Sequence, residues 1–258
     1  MKKWRGELIK ICKLPILYRT SAIILTINIF LYFWLAFLSG ETIRQETLRY
    51  PVHAGYFSLG IFASMFRKIW AAIVGTYLAG AELESGSQVY SVQNQGKYAL
   101  YGYKMLVAGV WSMAMVVLSF WLSYFASILL SGKLQGFDIG ILAQQMIIIW
   151  LMTIGIILLA MVITLFTKKI IPVIMIVIIF DFFGSFLPQI CNKLWEKVDG
   201  FWYYSNLLKP IKMQLSEMHD FSFRITDAFQ GCHGLLIWSL VQICVIVIFL
   251  YSLKEKEY

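Results

Sequence analysis

The sequence predicts an all-α integral membrane protein with six transmembrane helices, and three observations carry that expectation. Hydrophobic residues make up 60% of the 258 and charged residues 14%, against roughly 25% charged in a soluble globular domain. The apolar residues fall in runs of about the 20 that a helix needs to cross a bilayer core of about 30 Å. Those runs are continuous, without the apolar-polar alternation of a membrane β-barrel strand. The composition therefore excludes a soluble fold and a disordered chain. Six spans of about 20 residues use about half of the 258 residues, so the whole chain, 1–258, reads as one transmembrane domain with no room for a soluble catalytic domain.

The N-terminal stretch 3–19 has a helical pattern of its own. Trp4, Leu8, Ile11, Cys12 and Pro15 share one face, while Arg5, Lys10 and Lys13 lie elsewhere. That pattern suits a helix lying flat in the cytoplasmic interface, apolar side in lipid and cations at anionic headgroups. A plain basic flank of the first span is the alternative. Pro15 ends or kinks the segment.

The first span is 21–38, which holds no charge and one amide, Asn28. It exceeds the apolar core of a signal peptide, and no small-residue cleavage site comes after it. The second span is 66–81. Arg67 and Lys68 at its start read as snorkelling to the outer interface, with 51–65 as an apolar segment packed on the outer surface. A longer tilted helix that takes in the charge pair is the alternative. The third and fourth spans are 105–130 and 142–166. A basic turn then leads to Pro172, a residue suited to a helix start. The fifth and sixth spans are 173–187 and 235–253, separated by a long segment, 188–234.

Orientation comes from the cations. Lys2, Lys3, Arg5, Lys10, Lys13 and Arg19 face a single acid, Glu7, near the N-terminus. Placing that end in the cytoplasm also puts Lys97, Lys104, Lys168, Lys169, Lys254 and Lys256 inside, as the positive-inside rule favours. Both termini are then cytoplasmic, and 188–234 lies outside. This arrangement explains the net charge of +8 more simply than a nucleic-acid partner, for which no zinc-finger, aromatic RNA-binding or heptad pattern is present.

No enzyme constellation is visible. The phosphate-loop pattern is missing, so the chain is not expected to bind ATP that way. His53, His219 and His233 lack metal-ligand spacing, and neither a metal nor a cofactor is expected on this chain. Cys191 and Cys232 bracket the outer segment. They either form a disulfide closing a loop of about 40 residues or remain two free thiols. Trp195, Phe201, Trp202, Tyr203 and Tyr204 fit an interfacial aromatic belt or a surface for an amphipathic peptide or lipid tail. Asn28 and Gln242 read as interhelical hydrogen-bonding residues.

The segment 82–104, ELESGSQVYSVQNQGKYALYGYK, is too polar for lipid and too long for a tight turn. Here the chain resembles the permeases of ABC-2-type transporters. Ala79-Gly80-Ala81-Glu82 matches the exit from their second span, and Glu84, Gly86 and Ser87 match the family's next few positions. Lys97 stands near the family's arginine, and Lys104 opens the third span. Gln95-Gly96-Lys97 departs from the family by replacing its proline-containing turn.

The resemblance implies a six-span ABC-2 permease fold in a bacterial plasma membrane, working as a homo- or heterodimer with separate ATPase subunits. ATP and Mg would be bound by those partners. The segment 82–104 would be a coupling loop, docking around 82–94 with Tyr90 among the contacts. Spans one, two and five would move when the ATPases close. Short permeases of this layout include lantibiotic and other peptide-antibiotic immunity and export systems, so the implied substrate is a hydrophobic or amphipathic antimicrobial peptide.

Asp181 is an acid in the apolar fifth span, where ionisable residues are costly. In the resembling family this region breaks into re-entrant helices. Asp181 then either lines the outer gate or a cavity, or caps such a helix at the interface. A secondary transporter without an ATPase and a non-transporting scaffold or sensor subunit are the alternative functions.

Overall fold

The computed structural model describes residues 14–38, 51–84, 97–132, 139–176, 179, 243, 244 and 247. Among these the secondary structure is entirely helical. Helix α1 is Pro15–Leu38, α2 is Pro51–Ile61, α3 is Arg67–Glu84, α4 is Lys97–Ser131 and α5 is Ile139–Thr167. A π-helical turn, Phe62–Phe66, joins α2 to α3 without a break. A further helical stretch covers 170–176. Within α1, α4 and α5, the runs Pro15–Trp34, Leu100–Ser131 and Gln145–Thr167 are long and apolar enough to cross a membrane.

Prolines open two of these helices. Pro15 and Pro51 occupy first helical positions, where the missing N–H would have had no intrahelical acceptor anyway. Left-handed residues close two others. Gly132, with φ of 65°, returns its N–H to the Ile128 carbonyl at 2.8 Å after α4, as a glycine C-cap does. Lys168 does the same after α5, with φ of 53° and a 2.8 Å bond to the Thr164 carbonyl. A side chain in that conformation costs about 1–2 kcal/mol, and this one is exposed. Lys168→Gly is therefore expected to raise the thermal midpoint, by about 1 kcal/mol of stability after glycine's greater unfolded-state entropy is set against the relief. An unchanged or lowered midpoint would contradict this.

Side-chain pairings fix the helix directions. Ser21 of α1 meets Trp70 of α3, and Tyr32 of α1 packs on Phe57 of α2, so α1 runs antiparallel to the α2–α3 rod. Ser21 also meets Trp111 of α4, and Tyr32 lies beside Ser127, so α1 and α4 run parallel. Gly75 of α3 faces Ile157 and Ala160 of α5, and Gly80 faces Thr164 and the more distal Ile170, so α3 and α5 run parallel. The starts of α1 and α4 and the ends of α3 and α5 consequently share one end of the bundle.

Glycine permits the close α3–α5 approach. A methyl group on Gly75 would sit 2.3 Å from the Ile157 carbonyl oxygen and 2.8 Å from the Ala160 Cβ. Thr76 and Thr164 donate to the Ala72 and Ala160 carbonyls of their own helices, at 2.8 and 2.7 Å. Their hydroxyls are thus satisfied locally, and Ala72, Ala160 and Val173 pack together fully buried. Small residues of this kind replace the hydrophobic effect as the basis of helix contact in lipid. The main core gathers Leu59, Phe62, Trp70, Tyr101, Phe120 and Ile157, and Ile243 and Val247 of the last apolar run pack against it. Outward, Ile23, Ile27, Phe30 and Trp34 of α1 and Leu118, Leu122, Phe125 and Leu129 of α4 are exposed apolar stripes.

Three boundaries differ from the sequence expectation. Helix α1 starts at Pro15, so residues 15–19 belong to the spanning helix and not to an interfacial one. Helix α4 starts at Lys97, eight residues before the expected third span. Most consequential, 51–84 is helical throughout, so 51–65 is not a surface segment. Val52, Ala54, Tyr56 and Leu59 are buried. Arg67 does not snorkel outward; it is 2% exposed. Nothing between Pro51 and Glu84 breaks a helix, and an apolar setting favours uninterrupted backbone hydrogen bonding. The π turn, in which the Arg67 N–H bonds to the Phe62 carbonyl, takes up one extra residue and re-phases the helix faces.

Candidate functional site

The expected docking segment leaves and re-enters the helices at the same end of the bundle. Glu82 and Glu84 lie in the last turn of α3, and Lys97 is the first residue of α4. Gly86, Ser87 and Tyr90, between them, lie outside the described residues. So do Asp181, Cys191, Cys232, Trp4, Leu8 and Ile11. Both helix ends carry the wrong charge for their own stability. Acids sit at the C-terminus of α3 and a cation at the N-terminus of α4, each against the local helix dipole and each unfavourable by roughly 0.3–1 kcal/mol.

The same end holds Arg19, Lys168 and Lys169, all three exposed. Towards the opposite end, the described stretches 22–38, 51–66 and 105–132 contain no Asp, Glu, Lys or Arg. Lys104, expected to open the third span beside the docking segment, lies instead two turns inside α4 and is 3% exposed. In this arrangement its ammonium is not presented to an outside partner.

Inside the bundle a single hydroxyl joins three helices. The Trp70 Nε1–H donates to Ser21 Oγ at 2.9 Å, and the Trp111 Nε1–H donates to the same oxygen at 3.1 Å. Ser21 in turn donates to the Leu17 carbonyl at 2.6 Å. Two lone pairs and one proton are all that a serine hydroxyl offers, and all are used. A fourth helix is tied in where Trp150 of α5 donates to the Gly109 carbonyl of α4 at 2.9 Å. Run length and charge do not single out this junction, although one serine among apolar residues and tryptophans well inside two helices are visible signals.

Asn28 differs from its expected role. It is buried between helices at 1% exposure, yet neither Oδ1 nor Nδ2 has a hydrogen-bond partner among the described residues. An unsatisfied buried polar group costs about 1–3 kcal/mol. Gln242, given the same role, lies outside the described residues. Cys244 is exposed with a free thiol. Among the described residues no group of three or more His, Cys, Asp or Glu forms a metal site. No protein-family model, curated protein or solved structure matches the chain.

Proposed function

We propose that this chain is the membrane-spanning permease subunit of an ATP-driven exporter of the ABC-2 type, with ATP and Mg held on a separate ATPase subunit. The observation that carries this reading is the charge at the α3–α4 connection. Glu82, Glu84 and Lys97 oppose their own helix dipoles at one end of the bundle, as residues kept for a partner protein would. The excess of cations at that end among the described residues supports its placement in the cytoplasm of a bacterial cell, with both termini on that side, and three helices long and apolar enough to cross a membrane support a multi-pass arrangement, which we read as six spans.

In this proposal the partner pulls on the connection and so on α3. Helix α5, the fourth span, is carried along in addition to the spans that the resemblance implies move, because the Gly75 contact leaves no slack between α3 and α5. The motion opens a path between two permease copies for a hydrophobic or amphipathic substrate, an antimicrobial peptide in an immunity or export system. Removing residues 85–94 is expected to abolish both ATPase co-purification and export while the chain still reaches the membrane. Intact export by that variant would overturn the proposal. Buried Arg67 favours a second reading, a secondary transporter, since ionisable residues inside a bilayer commonly serve transport. Export that continues without any ATPase would select it.

A further inference from the structure

Three helices, α1, α2 and α4, meet around buried polar side chains. Tyr32 of α1 packs on Phe57 of α2, with ring centroids 5.5 Å apart. The next residue, Ser58, shares a 2.6 Å hydrogen bond with Ser123 of α4. One turn further along α4, Ser127 lies beside Tyr32. Asn28 precedes Tyr32 by one turn on the same face of α1. Because α1 and α4 run parallel, Asn28 stands level with the Ser58–Ser123 pair.

We propose that this α1–α2–α4 junction is an internal hydration site, with one or more water molecules held by the Asn28 amide among the Ser58, Ser123 and Tyr32 hydroxyls. The amide brings two donors and an acceptor with two lone pairs, and none is used among the described residues. Its ligand must therefore both donate and accept. A neutral ligand suits the site, because the side chains that meet there, Tyr32, Phe57, Ser58, Ser123 and Ser127, carry no charge to balance an ion. Water fits both conditions and commonly fills such positions. Bulk solvent is shut out, since Asn28 is 1% and Tyr32 3% exposed.

X-ray hydroxyl-radical footprinting of the full chain in lipid nanodiscs tests this, because radiolysis of a bound water marks the side chain beside it. Tyr32 is expected to be modified several-fold faster than Tyr101, which is equally sealed, at 0% exposure, but packed in the charged half. Asn28→Leu is expected to bring Tyr32 down to the Tyr101 rate. Equal rates for the two tyrosines in the unmodified chain would overturn the site without recourse to any variant. A Tyr32 rate unchanged by Asn28→Leu, in protein with native circular dichroism and size, would overturn the role of Asn28.

Discussion

Gly75→Ala is expected to be strongly damaging for the addition of a single methyl group. The new carbon would lie 2.3 Å from the Ile157 carbonyl oxygen and 2.8 Å from the Ala160 Cβ. Both atoms are anchored to the α5 backbone, so no side chain can swing aside. The helices must separate, which also loosens the Ala72, Ala160 and Val173 cluster. Overpacking costs typically about 1–3 kcal/mol, and a backbone obstacle places this case near the top. Gly80→Ala should cost less, because the obstructing atoms belong to the side chains of Ile170 and Thr164 and not to the backbone. Gly155→Ala meets nothing within 4 Å and should be neutral, or stabilising by up to about 1 kcal/mol through helix propensity. Thermal unfolding of the three purified variants gives the order directly. Equal midpoints for Gly75→Ala and Gly155→Ala would refute the close α3–α5 packing.

The second large effect is expected at Ser21. Ser21→Ala removes the acceptor of two indole N–H groups at once. Trp70 is fully buried and has no solvent to turn to, whereas Trp111 is only partly buried. An orphaned buried donor costs about 1–3 kcal/mol. Interhelical hydrogen bonds in membranes measure lower, near 0.6 kcal/mol on average and about 1.7 at most. The Trp70 loss dominates, and a total of about 2 kcal/mol is expected. Ser21→Thr keeps the hydroxyl and should retain most of the stability. A double-mutant cycle with Trp70→Phe isolates the pair, since residues sharing one bond are non-additive. Additive losses, or an unchanged midpoint for Ser21→Ala, would remove the junction from the energetics.

Much of the helical layout is legible in the sequence because apolar run length is a direct consequence of bilayer thickness. The expected 142–166 span lies within α5, and 105–130 lies within α4. The helix starts are not legible. Pro15 and Lys97 begin helices ahead of the spans expected from 21 and 105, in stretches whose Arg19, Lys97 and Lys104 read as flanking charges. Arg67 misleads for a physical reason: a cation usually marks an interface, and composition does not tell an interfacial arginine from one enclosed by neighbouring helices. Ala79-Gly80-Ala81 reads in sequence as the exit of a family motif. In the structure Gly80 is also a contact surface for Ile170, a role at which small residues at spacings of three and four along α3 already hint. Asn28 is legible as buried, but not as unpaired, because pairing depends on which residues of α2 and α4 stand at its level.

The dipole-opposing charges Glu82, Glu84 and Lys97 make sense if the α3–α4 connection answers to another protein. The most direct measurement is ATP hydrolysis by whatever accompanies the tagged full-length chain out of its native membrane. Vanadate-sensitive ATPase activity from a separate, co-purifying subunit, lost when residues 85–94 are deleted, is the expected result. A chain that exports its substrate yet purifies with no ATP-hydrolysing partner would contradict the assignment.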